Sequence, residues 1–308
     1  MIGPGVKTAA LFAVIIALFV AIGGIVGEFL FGSWLAGLLV AFGLSLVLNL
    51  VAYFGSDRLV LWSTHARIVR PEEAPRLARL VDELAPKFGL VAPRLALVPS
   101  PTPNAFATGR NERHAVVAAT QGILNLLDDR QLRGVLAHEL AHVRDRDVLL
   151  MTFAATLAGA ISYAAQIVFF STLTGGFGRR SNVNPIVLVV ALVTAPIAAL
   201  LLRLAISRSR ELKADEVGAT TIQDPEALAS ALERIDPANV RRPMQLGSPS
   251  QASLFIVNPF RGGGFASLFS THPPTAERIR KLRALGIDHR YRVDVRSPSA
   301  GSPAASRS

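Results

Sequence analysis

Four stretches of this 308-residue chain run without a charged side chain for the length of a bilayer crossing, and they restrict its fold more than any other feature. They extend from Thr8 to Gly27, Phe29 to Phe54, Val148 to Gly178 and Ser181 to Leu202. A helix needs about 20 apolar residues to cross the hydrocarbon layer. Composition agrees: 51% of residues are hydrophobic, 18% are charged, and the mean hydropathy is +0.41, too apolar for an ordinary soluble domain. The first stretch follows Lys7 and is too long for the apolar part of a signal peptide. A second stretch comes at once, so the expectation is a retained helix. Glu28 and Gly32-Ser33 mark a very short turn between the two. Pro185 and Pro196 are expected to kink the fourth. The third carries Ser162, Tyr163 and Gln166, which could bond between helices.

The polar remainder falls in two blocks. Ser56 to Asp147 holds 13 Lys and Arg against 11 Asp and Glu; Arg203 to the end holds 16 against 10. The net charge of +10 is therefore concentrated near the C-terminus. With no basic-aromatic motif for nucleic acid, the excess reads as attraction to a lipid bilayer, and no nucleic-acid partner is expected. Cysteine is absent, so any metal site must be built from histidine and carboxylate.

The first block ends in His138-Glu139-Leu140-Ala141-His142. By composition alone an HExxH would occur by chance in roughly one such chain in two hundred, so its setting matters. Leu132, Val135, Leu136, Leu140 and Val143 form the apolar stripe of a helix. Asp128 followed by Gln131 resembles a capping box. Positions i and i+4 share a helix face, so His138 and His142 can grip one Zn²⁺, with Glu139 placed to take a proton from its water. The plainer alternative is a buried helix with packed histidines, which would leave three polar groups to be offset.

A catalytic zinc takes three protein ligands and keeps a fourth position open. Glu211 is the best candidate for the third, and Asp215 lies one turn on, able to accept the free N–H of a ligand histidine. By spacing alone the pair reads equally as a solvated charged helix, since Arg208, Arg210, Lys213 and Glu216 surround it. If His138, His142 and Glu211 hold one metal, the chain leaving before the third stretch must return after the fourth. A hairpin of two spans does this and puts both polar blocks on one side, the cytoplasm by their Lys and Arg content. Arg179 and Arg180 at the hairpin tip oppose that assignment, and a pair of helices that dip in without crossing remains an alternative.

Local patterns add a helix over Pro71 to Leu90, a strand over Pro93 to Val98, and a hairpin pairing Asn104 to Gly109 with His114 to Thr120. A further helix opens at Asp224-Pro225 with Leu228, Leu232 and Ile235 as its stripe. Arg241 to Ser270, rich in Gly, Pro and Ser, is expected to be a long mobile loop. A last helix spans Thr275 to Leu285, stopped by Gly286, and the tail from Ser297 is expected to be disordered. His65, His114 and His289 match no motif.

Together these residues resemble the HtpX-type membrane zinc metalloproteases, relatives of the CAAX-processing zinc proteases. The likeness rests on Asn104 to Gly109 (NAFATG), on His138 to His142 continuing through Asp147, on Glu211 with Asp215, and on His272-Pro273-Pro274-Thr275 with Glu277-Arg278-Ile279. It implies a mainly α integral membrane protein, with about four transmembrane helices and a zincin-like (gluzincin) catalytic domain holding a small β-sheet. Residues 1–55 would hold two membrane helices and 56–147 the first part of the catalytic domain. Residues 148–203 would form the membrane hairpin, 204–294 the second part of that domain, and 295–308 a tail. The resemblance implies one Zn²⁺ per chain on His138, His142 and Glu211, with Glu139 as general base and then acid and Asp215 supporting His138. Asn104, Ala105 and Phe106 would line the substrate cleft. His272 would either steady the oxyanion or form a structural His-Pro turn. Arg278 reads as an ion-pair residue rather than a catalytic one, and Asp145 and Asp147 either support the ligands or cap the helix. Protein or peptide substrates follow, membrane proteins among them, with a role in quality control. The competing classes are a membrane scaffold with a structural zinc site, which would need a fourth protein ligand, and a transporter, which would need ionisable residues inside the spans.

Overall fold

The computed structural model describes residues 32–149, 151–152, 208–247, 249–260 and 273–296, together with isolated positions between 13 and 28; side chains at 48, 49, 52, 249–250 and 287–296 fall outside that description. The expected hairpin over 148–203, the Arg179-Arg180 tip, His272 and the tail from Ser297 lie almost wholly outside the described residues.

The first long element is helix α1 (Trp34–Ser63). Ser33 caps it by accepting from Ala36 N–H, and Glu28 accepts from Trp34 N–H at 2.9 Å. Leu35, Leu39, Val40, Phe42, Leu44, Val47, Leu50, Val51 and Phe54 all stand exposed. Apolar side chains exposed in such a run need a non-aqueous cover. Counting described side chains alone, no helix is long and apolar enough to cross a membrane.

After α1 the chain builds a four-stranded mixed sheet from β1 (Arg67–Val69), β2 (Arg94–Val98), β3 (Ala105–Thr108) and β4 (Val116–Thr120), in the order β1-β2-β4-β3. β1 and β3 are antiparallel to their neighbours, and β2 runs parallel to β4. The expected hairpin is present as β3–β4, turned by a 3-10 segment at Glu112–His114. Between β1 and β2 the expected single helix divides into a 3-10 turn (Pro71–Glu73), helix α2 (Pro75–Leu84) and a second 3-10 turn (Ala85–Phe88) that ends at left-handed Gly89. Pro75 and Pro86 each open a new segment, because proline tolerates only the first turn of a helix. Leu77, Leu80, Val81 and Leu84 fill the core under the sheet.

A short helix α3 (Gln121–Leu126) leads into α4 (Asp129–Arg144), which begins with the expected capping box: Gln131 N–H donates to Asp128 Oδ1 at 2.8 Å and Asp128 N–H to Gln131 Oε1 at 3.3 Å. Leu132, Val135, Leu136, Leu140 and Val143 are all buried. Helices α5 (Arg208–Ile222), α6 (Pro225–Arg241) and α7 (Thr275–Arg296) complete the layer on which α4 packs. Asp224 caps α6, and Leu228, Leu232 and Ile235 face the core as their spacing requires.

Two further expectations need correction. α7 does not stop at Gly286 but continues to Arg296; one glycine inside a helix costs only about 1 kcal/mol. The segment from Arg241 is not a loose loop over its described length. Gln251 to Val257 is buried, because Leu254-Phe255-Ile256-Val257 supplies an apolar run inside the Gly- and Ser-rich stretch and packs against β3.

Candidate metal centre

α4 carries His138, Glu139 and His142 on a helix buried nearly all round, and α5 crosses it closely enough to bring Glu211 beside them. The crossing depends on Gly218. A Cβ there would sit 3.0 Å from His138 N and 3.1 Å from the Ala137 carbonyl carbon. With that atom missing, Glu211 and Asp215, on the same face of α5, both reach the histidine pair.

The Nε2 atoms of His138 and His142 lie 3.2 Å apart. Glu211 Oε1 is 3.5 Å from His142 Nε2, and Glu211 Oε2 is 3.8 Å from His138 Nε2. Donors about 2.0–2.1 Å from one tetrahedral Zn²⁺ lie about 3.3 Å from each other. Two imidazole nitrogens and one carboxylate, all buried, therefore match a zinc ion in both spacing and donor type.

The atoms behind these donors fix their orientation. Asp215 Oδ1 is 2.9 Å from His138 Nδ1 and accepts its proton, which leaves the lone pair of Nε2 facing the other two donors. Arg278, from α7, clamps Asp215 with two bonds, Nε to Oδ2 at 2.8 Å and Nη2 to Oδ1 at 2.7 Å. Its Nη1 donates to Ile256 O at 2.6 Å. On the other histidine, Asp147 Oδ2 stands 3.9 Å from His142 Nδ1, and Arg210 Nε lies 3.6 Å from Asp147 Oδ1. Asp145 caps α4 and pairs with Lys213.

Burial opposes charge on His138, Glu139, His142 and Asp215. It lowers His138 to about 4, with the Asp215 hydrogen bond opposing, so the imidazole is neutral as a ligand must be. It raises Glu139 to about 8; the nearby Glu211 charge acts in the same direction. Burial also disfavours charge on His142, but Asp147, Glu211 and Glu139 outweigh it and lift the group to about 9. Burial works against ionised Asp215, yet Arg278 holds it down at about 2. The Glu211 and Asp147 carboxylates beside one imidazole make a pocket that favours positive charge, which a divalent cation supplies.

The expected cleft residues lie on β3. Asn104 is fully engaged: its N–H donates to Thr120 Oγ1 at 2.9 Å, its Nδ2 to Val257 O at 2.6 Å, and its Oδ1 accepts from Ala105 N–H. Phe106 is wholly buried. The Ala107 backbone favours the ionised form of Glu139 against its burial and links the strand to the general-base candidate. His65 is exposed, and His114 pairs with Asn111 and Arg110 away from the centre. The sequence patterns missed the Arg278 clamp as part of the centre and the packing of Phe255-Ile256-Val257 beside it. The second had a signal, an apolar tetrad in a polar stretch.

A zinc-type donor set on an HExxH helix, completed by a glutamate from a second helix and flanked by the edge strand of a small sheet, defines a metallopeptidase. The chain belongs to peptidase family M48, whose model matches residues 71–286. It is 47% identical over 288 residues to the protease HtpX homolog of Pyrococcus furiosus, covering 93% of this chain and 98% of that one. To the protease HtpX homolog of Ralstonia pickettii it is 46% identical over 288 residues, again covering 93% and 98%. Among solved structures, S. mikatae Ste24p matches with a TM-score of 0.47 and 18% identity, over 89% of this chain and 62% of that chain.

Proposed function

We propose that the chain is a membrane-bound zinc endopeptidase in which His138, His142 and Glu211 hold the metal and Glu139 moves the proton. The observation that carries this reading is three buried donors 3.2, 3.5 and 3.8 Å apart with a buried carboxylate on the adjoining residue of the same helix. When bound, zinc acidifies water and polarises the scissile carbonyl. The protein does the rest. Asp215 and Arg278 lock the tautomer of His138, and Asp147 places a negative charge 3.9 Å from His142 Nδ1. Glu139, its ionised form favoured by the Ala107 backbone, takes the proton from the attacking water and returns it to the leaving amine. The substrate lies extended along β3, held by main-chain hydrogen bonds, with Asn104, Ala105 and Phe106 as its wall. His272 fits the role of a donor to the oxyanion by its place in the His-Pro motif.

Main-chain capture tolerates many sequences, which suits clearance of damaged or misfolded membrane proteins. Two N-terminal membrane helices, a membrane hairpin over 148–203 and a catalytic domain on the cytoplasmic side complete the reading. Its supports are the four uncharged stretches, the exposed apolar surface of α1 and the Lys and Arg content of the polar blocks.

The test is Glu139→Gln in detergent-purified protein prepared without chelators. It is expected to retain one zinc per chain and to lose at least ~10²-fold in kcat on casein. Undiminished cleavage would remove Glu139 from the mechanism, and a wild-type chain that binds zinc without cleaving would favour the scaffold.

A further inference from the structure

In an antiparallel ladder, alternate residues turn both main-chain groups to the same neighbour. Asn104 faces β4, since Thr120 N–H donates to its carbonyl at 3.0 Å; Ala105 and Ala107 therefore face the open edge of the sheet. That edge, where a substrate would add as a strand, is already covered by the chain's own Leu254-Phe255-Ile256-Val257. Ile256 N–H donates to Ala105 O at 3.1 Å. Asn104 Nδ2 donates to Val257 O at 2.6 Å. Phe255 pairs with Phe106 in an isolated antiparallel bridge, their rings edge-to-face with centroids 5.1 Å apart. All four side chains are buried. The tetrad also reaches the metal centre, because Ile256 O accepts from the same Arg278 that clamps Asp215.

Main-chain bonds to an edge strand with side chains in adjoining pockets are how a peptide binds by strand addition. The hold is short: Leu254 closes a 3-10 turn (Pro249–Leu254), and among the described residues a single bridge, Phe106 with Phe255, pairs the tetrad with β3. Its flank is tethered elsewhere, with Gly247 N–H donating to Ser63 O at 3.0 Å and Gln251 Nε2 to Ser63 Oγ at 2.8 Å at the end of α1. Displacing the tetrad would break its bonds to Ala105, Asn104 and Arg278, while the flank keeps its own tether to Ser63.

We propose that Leu254 to Val257 is an internal stand-in for substrate, displaced by an extended apolar polypeptide that places a large aromatic side chain against Phe106. This rests on the peptidase reading and adds to it a substrate class and a gate. The ligand chemistry is that of an unfolded chain rich in aromatic and β-branched residues, which can replace both the main-chain bonds and the buried rings. A folded surface loop or a charged peptide can replace neither.

Three measurements test it. In zinc-loaded Glu139→Gln, amide exchange at Ile256 is expected to rise at least tenfold when β-casein co-elutes with the protein, while the β4-facing amides of β3 stay protected. Unchanged exchange at Ile256 with casein bound overturns the proposal. In the otherwise wild-type enzyme, Phe255→Ala removes the ring that packs on Phe106 and leaves the Ile256 carbonyl on Arg278. It is expected to lower KM for casein about fivefold with kcat within twofold, and an unchanged or raised KM overturns the proposal. A peptide carrying Leu-Phe-Ile-Val is expected to be cleaved with kcat/KM about tenfold above its Leu-Ala-Ile-Val counterpart; equal values overturn the aromatic preference. Failure of the peptidase reading is distinct, since it shows as a wild-type chain that leaves casein intact whatever the exchange at Ile256.

Discussion

Arg278 is the side chain on which the parts of the centre converge. It is 1% exposed, it holds Asp215 with two bonds, and it reaches Ile256 O. A buried ion pair is a poor source of net stability, but breaking it leaves one charge stranded. Arg278→Met is therefore expected to cost about 3–5 kcal/mol in thermal or denaturant unfolding. Pairing it with Asp215→Leu, which removes both charges, is expected to recover part of that loss, and strict additivity would refute the coupling. Asp215→Ala alone is expected to weaken zinc binding about 10–100-fold, because His138 then loses the group that fixes its tautomer. Metal titration in competition with a chelator measures this. Sequence spacing went a long way at this scale: HExxH and Glu211-x-x-x-Asp215 follow one helical period, so the face they share can be counted off. Arg278 sits 63 residues beyond Asp215, and no period connects them.

At the level of elements, two glycines decide how closely the helices approach. A Cβ on Gly134 would meet Leu228 N of α6 at 2.5 Å, and one on Gly218 would meet His138 N of α4 at 3.0 Å. Gly134→Ala must push main chain against main chain and is expected to cost about 1–3 kcal/mol with little change in zinc affinity. Gly218→Ala is the milder clash but lies beside the metal ligands. It is expected to lower zinc affinity through the separation of α4 and α5 while moving the melting temperature less than Gly134→Ala does. Parallel metal titrations and melts of the two variants check the contrast; equal effects on both readouts would mean that helix spacing does not set the donor geometry. The strongly periodic elements, α4 and α6, were legible because their apolar stripes and caps are local. β1 was not, because three residues, two of them exposed, carry no alternation to read. The end of α7 and the packing of Phe255 on β3 were hidden for a different reason. Both are tertiary outcomes: one overrides a weak glycine stop, and the other recruits a short apolar run to a strand 149 residues earlier.

For the whole molecule, the metal centre joins two lengths of chain that the sequence holds far apart. His138 and His142 precede the long uncharged stretches that begin at Val148, and Glu211 follows them. A ligand that binds only the folded arrangement stabilises it by mass action, by about 4 kcal/mol at a thousandfold excess over its Kd. In a catalytic unit of this size, that corresponds to a rise in melting temperature of roughly 8–16 °C. Zinc is accordingly expected to raise the melting temperature of the detergent-purified chain by this amount, and a chelator to reverse the rise together with activity. Glu139→Gln is expected to keep the full shift, because that side chain is assigned to the proton and not to the metal. Glu211→Ala is expected to abolish most of it, because the two histidines that remain belong to one helix and tie nothing together. A zinc-dependent shift that survives Glu211→Ala would place the third ligand elsewhere and would undo the link between metal binding and the joining of the two lengths of chain.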